Sequence, residues 1–207
     1  NVEALSKGIE NLAKHIDTIR TFGIEPVVAL NHFVTDTEKE MQYVLEWCAA
    51  HDVRAAFTDV WKRGGEGGVE LAQHVLDIFR EKQSFETLYP LEESVERKVE
   101  TIVQQIYGGK GVHFTEQAKR DLARIVENGG DTLPICMAKT QYSLSDDPKK
   151  LGRPQHFTVT IREIVPKVGA GFLVCLTGDI MTMPGLPDAP AALNMDVDEQ
   201  GRAKGLM

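Results

Sequence analysis

Pro26-Val27-Val28-Ala29-Leu30-Asn31-His32-Phe33 is a short, continuous apolar run that closes on two polar residues and an aromatic. A run of this length, set between Gly23 and Thr35-Asp36-Thr37, predicts a strand covered on both faces, as in a parallel sheet. Upstream, Leu5, Ile9, Leu12, Ile16 and Ile19 recur at spacings of four and three, which predicts an amphipathic helix ending before Gly23. Downstream, Thr35-Asp36-Thr37 with Glu38 and Glu40 supplies an N-cap and an acidic first turn. The helix that follows is expected to bury Met41, Val44, Leu45 and Cys48. Arg54-Ala55-Ala56-Phe57-Thr58 reads as the next strand, after which Gly64, Gly65, Gly67 and Gly68 lead into a helix from about Val69 to Lys82. Strand, helix, strand, helix with short connections is a βαβ pattern, hence an α/β fold with a mainly parallel sheet.

Ser84 to Pro90 lacks periodicity and joins two parts, taken here as residues 1–83 and 84–207. Beyond the join, Val95, Val99, Ile102, Val103 and Ile106 form a helical stripe that stops at Tyr107-Gly108-Gly109. A second helix is expected from Glu116 to about Asn128. Leu133 to Ala138 predicts a buried strand, and Phe157 to Ile164 alternates apolar and polar residues with a period of two. Gly171 to Leu176 is a further strand candidate. Met181 to Met207, rich in Pro, Gly and Asp, reads mostly as loop, and Met181 to Pro187 within it has the rigid composition of a lid.

Composition narrows the function classes. The 207 residues are 42% hydrophobic and 26% charged, which is ordinary globular usage. A net charge of −8 opposes a nucleic-acid binder, because phosphate contacts need clustered Lys and Arg. No apolar run approaches the roughly 20 residues a membrane-spanning helix needs. Cys48, Cys136 and Cys175 are few and scattered, which fits a reducing, cytoplasmic setting with each thiol acting as a small buried hydrophobe.

Candidate chemistry concentrates where strands end. Gly64-Gly65-Glu66-Gly67-Gly68 permits close backbone approach to a ligand, or equally a tight turn needing positive φ. It matches neither GxGxxG nor GxxxxGK[ST], so no phosphate loop is encoded in these residues. Trp61 precedes this glycine run and Phe33 follows the first strand, so both fall at the carboxyl edge of the sheet, where α/β proteins bind ligands. Two aromatic faces there suit a flat heterocycle; the alternative is packing on neighbouring helices. His15, His32, His51, His74, His113 and His156 have no partner at metal-ligand spacing, so no metal site is expected. Asp146-Asp147 and Asp196 with Asp198 read as turn acids. Lys139 follows an apolar strand, where its ammonium can meet a phosphate or carboxylate, or belong to a solvated loop.

Several longer segments carry a resemblance. Asn11-Leu12-Ala13-Lys14-His15-Ile16, Val27 to Phe33, Trp61 with its glycine run, Leu133-Pro134-Ile135-Cys136-Met137-Ala138-Lys139-Thr140-Gln141-Tyr142-Ser143 and Asp179-Ile180-Met181-Thr182-Met183-Pro184-Gly185-Leu186-Pro187 resemble, in order, segments of the formate–tetrahydrofolate ligases. The resemblance is to the C-terminal part of that family. It implies a P-loop NTPase-like fold whose phosphate-loop part lies outside this chain, followed by a smaller α/β C-terminal domain. In such enzymes ATP phosphorylates formate to formyl phosphate, and N10 of tetrahydrofolate attacks the formyl carbon. Mg²⁺ accompanies the nucleotide and a monovalent cation often assists. The implied partners are formate, ATP, tetrahydrofolate, the N-terminal part of the same enzyme and further copies in a homo-oligomer.

Carried over by position, Phe33 and Trp61 resemble the aromatic pair that sandwiches the pterin ring. Val34 stands where the family commonly has Pro, which loosens the loop slightly. Asn31, Lys139, Thr140, Tyr142 and Ser143 resemble residues lining the nucleotide and substrate site, as does Thr182 to Pro187. Catalytic residues are not assigned. A competing reading is a non-catalytic folate-binding or oligomerisation module; an unrelated α/β nucleotide-binding protein is a third.

Overall fold

Twenty residues, Val2–Thr21, form helix α1, which starts where the Asn1 side chain accepts the Ala4 N–H at 3.0 Å. The computed structural model describes residues 1–178, 180 and 188–205 of the chain. Strand β1 (Val27–Asn31) follows, then helix α2 (Glu38–Ala50) and strand β2 (Arg54–Thr58). α2 begins with a capping box: the Thr37 hydroxyl serves the Glu40 N–H while the Glu40 carboxylate takes the Thr37 N–H at 3.0 Å. β1 and β2 pair in parallel from Val27 opposite Arg54 to Asn31 opposite Thr58, the βαβ unit that the apolar runs predict.

One face of this two-stranded sheet packs against α1 and α2. Ile9, Ile16, Val44, Cys48 and Val53 form a core cluster against which Val28, Leu30 and Ala55 pack. The other face is only half covered. The one-turn helix α3 (Val60–Arg63) and a 3-10 turn (Gly64–Gly68) lead to α4 (Val69–Arg80), which lies chiefly over β2. Ala56 is buried beneath it, whereas Ala29 and Asn31 on β1 are exposed. β1 is therefore not covered on both faces; its apolar composition exceeds what α4 reaches.

The second half builds a four-stranded mixed sheet. Helix α5 (Val95–Thr101) runs into a π-helical turn (Ile102–Tyr107), then strand β3 (Gly111–Phe114), helix α6 (Glu116–Glu127), and strands β4 (Ile135–Ala138), β5 (Thr158–Lys167) and β6 (Phe172–Thr177). The order is β3-β5-β6-β4, with β3 parallel to β5, β4 parallel to β6, and an antiparallel pair between them. Val99, Val103, Val159, Ile161 and Leu173 are fully buried between α5, α6 and this sheet. Each such side chain contributes about 1.5–3 kcal/mol by leaving water.

Three details depart from the sequence reading. The apolar stripe through Ile106 ends in a π-helical turn, and the Gln105 carbonyl there accepts the Lys14 ammonium at 2.7 Å. Cys48 and Cys175 are buried, but Cys136 is exposed on β4, so not all three thiols are core residues. The acids also do more than shape turns. Asp146 reaches across to accept the β5 Thr160 N–H at 2.9 Å, and Asp198 holds the Arg202 side chain at 3.0 Å.

The tail from residue 188 contains a 3-10 turn (Ala191–Asn194) and a two-residue antiparallel pair, β7 (Asp196–Val197) with β8 (Ala203–Lys204). The lid candidate Met181 to Pro187 lies outside the described residues, as does Asp179. The two sheets are tied through α1: Asn11 donates to the Gly152 carbonyl at 3.0 Å, and Arg153 pairs with Asp17 at 2.6 Å. No helix among the described residues is long and apolar enough to cross a membrane.

Candidate functional site

The carboxyl ends of β1 and β2 meet because the strands are parallel and in register. At the last register position the Thr58 hydroxyl donates to the Asn31 side-chain oxygen at 2.7 Å, and the His32 N–H continues the ladder to the Thr58 carbonyl at 2.9 Å. Beyond this pair the chains diverge into two short loops. Phe33 leads one and Trp61 sits on α3 in the other.

Both rings face outward. Phe33 is 60% exposed and Trp61 59%, so the helix-packing alternative for these two aromatics does not hold. Among the described residues neither ring stacks on another aromatic. The Trp61 indole is nonetheless oriented, since its Nε1–H donates to the His32 carbonyl at 2.8 Å. The Phe33 main chain is held from the other side: its N–H donates to the Asp36 carboxylate at 2.8 Å, and the Asp36 N–H returns to the Phe33 carbonyl at 3.0 Å. This reciprocal pair fixes the loop that Val34, with no fixed φ, leaves to be held by other means.

Next to the aromatics lies a cavity of about 330 Å³, with His32, Phe57, Asp59, Arg63 and Gly67 in its walls. Asp59 and Arg63 escaped the sequence reading. Both Asp59 carboxylate oxygens accept the Arg63 Nε–H at 2.8 Å. The signal was an acid directly after a strand with a base four residues on, at the sheet edge where ligands bind. His32 is half-buried and enters the site through its backbone carbonyl.

Lys139, Thr140, Tyr142 and Ser143 form a separate group beyond β4, in the other sheet. The Lys139 ammonium donates to the Thr140 carbonyl at 2.9 Å and to the Ser143 carbonyl, and it lies 5.3 Å over the Tyr107 ring. Burial lowers its pKa below the usual lysine range, partly offset by Asp146. The buried Ser143 hydroxyl donates to the Lys150 carbonyl and accepts the Ser145 N–H at 3.0 Å. Of these four side chains Tyr142 is the exposed one, at 67%, beside the exposed Gln141. The loop is thus an internally bonded unit that spends its cation on its own carbonyls. Among the described residues no side-chain hydrogen bond or ion pair joins this group to Phe33, Trp61 or Asn31.

Among the described residues no three His, Cys, Asp or Glu side chains converge as a metal-binding group.

Comparison with known proteins bears on the whole chain. The family model described as formate–tetrahydrofolate ligase matches residues 1–207. The formate–tetrahydrofolate ligase of Staphylococcus carnosus is 57% identical over 206 residues, covering 100% of this chain and 37% of the relative. That of Bacillus licheniformis is 56% identical over 207 residues, and that of Staphylococcus epidermidis 54% over 206, with the same coverage of 100% and 37%. The chain therefore spans just over a third of the length of the curated relatives it matches.

Proposed function

The chain belongs to the formate–tetrahydrofolate ligase family, and from that premise we propose that it is the folate-stacking, C-terminal part of such a ligase. The reaction is the ATP-dependent formylation of tetrahydrofolate by formate through formyl phosphate. The observation that carries this reading is the pair of exposed aromatic rings at one sheet edge, the Trp61 indole oriented by its bond to the His32 carbonyl and the Phe33 backbone held by Asp36. A pterin is flat, and two aromatic faces with few rotatable bonds hold a flat ring at low entropic cost. With the pterin held so, the adjoining N10 of tetrahydrofolate is presented to the formyl carbon; its attack forms the N–C bond, breaks the C–O bond to phosphate and releases the N10 proton.

The adjoining Asp59–Arg63 pair supplies polar groups beside the ring stack. Residues 1–83 form the folate part and 84–207 a second α/β part, a division supported by the two separate core clusters. Asn31, Lys139, Thr140, Tyr142 and Ser143 are proposed to line the shared substrate site, with Lys139 acting as a support of the loop and Tyr142 as its outward group. Phosphoryl transfer needs cations and backbone donors around the γ-phosphate. With no convergent donor trio among the described residues, no step is assigned to Mg²⁺ or to a monovalent cation here. Those groups and the nucleotide are proposed to bind the N-terminal part of the enzyme, the natural partner of this one, within a cytoplasmic homo-oligomer.

Steady-state kinetics of the complete ligase test the assignment. Trp61→Ala is expected to raise the tetrahydrofolate KM while leaving the ATP KM unchanged; unaltered folate kinetics would contradict it. The second reading, a catalytically incomplete module, applies to these 207 residues alone, since they lack GxxxxGK[ST]. No ATP-dependent 10-formyltetrahydrofolate formation is expected from this chain by itself, and turnover would refute that.

A further inference from the structure

Trp61 sits on a helix too short to stand alone. α3 has four residues, and a single turn gains too little from its own hydrogen bonds to offset nucleation. Its N-cap, Asp59, makes no side-chain capping bond, because that carboxylate is spent on Arg63. Something else must fix α3 on the sheet edge.

The glycine run does so. Gly64 ends α3 at φ 59°, ψ −143°, a conformation only glycine adopts without strain, and sends the chain back beneath the helix. The buried Gly67 then lies against the first backbone atoms of α3. A Cβ there would come within 2.5 Å of the Asp59 Oδ1, 2.7 Å of the Asp59 carbonyl carbon and 2.8 Å of the Val60 nitrogen, so it would meet backbone as well as the carboxylate. The Asp59 N–H donates to the Gly67 carbonyl at 3.3 Å, and the Asp59 carbonyl accepts the N–H groups of Lys62 at 2.9 Å and Arg63 at 3.0 Å. Gly68 backs the same spot, where a Cβ would meet Val60 Cγ1 at 3.2 Å. Gly65 differs: a Cβ on it would meet nothing within 4 Å.

We infer that Gly67, backed by Gly68, is a positioning residue for Trp61, its missing side chain setting how closely α3 sits on the sheet edge and so the plane of the indole. The run is a cradle for the helix that carries the aromatic. Its consequence for substrate binding rests on the folate reading above; the positioning of Trp61 does not.

The test uses the complete ligase labelled with 5-fluorotryptophan, with the Trp61 resonance identified by its loss in Trp61→Phe. Gly67→Ala is expected to move that resonance in the ligand-free enzyme and to raise the tetrahydrofolate KM roughly tenfold with kcat within about twofold. Gly65→Ala is expected to move neither. Gly68→Ala applies a smaller push to the same helix and covers the case in which Gly67→Ala does not fold. Its shift is expected to revert in Gly68→Ala combined with Val60→Ala. An unmoved Trp61 resonance in the Gly67 variant, or in the Gly68 variant if only that one folds, would overturn the inference. So would a Gly65→Ala effect equal to that of Gly67→Ala. A moved resonance with unaltered folate kinetics in both Gly67→Ala and Trp61→Ala would uphold the cradle and defeat the folate assignment instead.

Discussion

The Trp61 indole N–H donates to the His32 carbonyl oxygen at 2.8 Å, joining two loops that leave neighbouring parallel strands. His32 immediately precedes Phe33, so this hydrogen bond ties together the two loops that carry the aromatic residues. A replacement that keeps the ring but removes the donor separates these roles. In the complete ligase, Trp61→Phe is expected to raise the tetrahydrofolate KM less than Trp61→Ala. Loss of either ring face, in Trp61→Ala or Phe33→Ala, removes stacking worth about 1–3 kcal/mol, or roughly five- to 150-fold in KM. Equal values for the Phe and Ala variants at position 61 would show that the ring face contributes nothing.

The core of the second sheet is the mechanical support of the chain. Ile161 is fully buried on β5, in contact with the cluster that includes Val99, Val159 and Leu173. Ile161→Ala is expected to cost about 2–5 kcal/mol of unfolding free energy, measured by urea denaturation. Val126→Ala, on the exposed side of α6, is expected to stay within about 0.5 kcal/mol. A similar cost at both positions would contradict the packing described.

Lys98 gives the chain an alkaline signature. It is fully buried, with its ammonium on the carbonyls of Asp131 at 2.6 Å and Leu133 at 3.2 Å. Burial lowers its pKa, and the charges of Asp131, Glu92 and Glu93 only partly oppose that. The folded chain then releases this proton at lower pH than the unfolded chain does. Between the two pKa values the unfolded state binds more protons, so stability rises with pH. Lys98→Met keeps the stem, leaves two carbonyls without their donor and removes the titration. The stability advantage of the unsubstituted chain over Lys98→Met is therefore expected to widen from neutral pH towards about 10. Parallel pH curves would contradict it.

Thiol chemistry distinguishes the three cysteines. Burial raises the Cys48 pKa and pushes that of Cys175 up to about 12, whereas Cys136 is exposed on β4. Alkylation of the native protein, mapped by peptide mass spectrometry, is expected at Cys136 and at neither of the others until denaturant is added. Native labelling of Cys175 at neutral pH would show β6 more open than described.

Much of this was legible in the sequence because local signals and tertiary packing agree. The β1 run, the Thr35-Asp36-Thr37 cap segment with its acidic first turn and the Phe157 to Ile164 alternation each predict the element found, since period and capping chemistry are local. Coverage is not local. Nothing within Val27 to Asn31 reports that α4 lies over β2 and leaves Ala29 open, nor does Cys136 announce which face of β4 it occupies. The site divides along the same line. Phe33 and Trp61 fall at strand ends by simple counting, whereas the bond from Trp61 to His32 and the pressure of Gly67 on Asp59 depend on two loops folding against each other. Lys139 shows the opposite case: a cation after a strand suggests an anion site, yet in the fold it serves carbonyls of its own loop.

The most direct measurement is a tetrahydrofolate titration of the complete, 5-fluorotryptophan-labelled ligase, followed at the Trp61 resonance. Stacking of the pterin on the indole is expected to give a saturable shift of that resonance, with Phe33→Ala weakening the titration roughly tenfold or more. Saturable folate binding, registered by calorimetry on the same sample while the Trp61 resonance stays in place, would contradict the assignment of this sheet edge as the folate site.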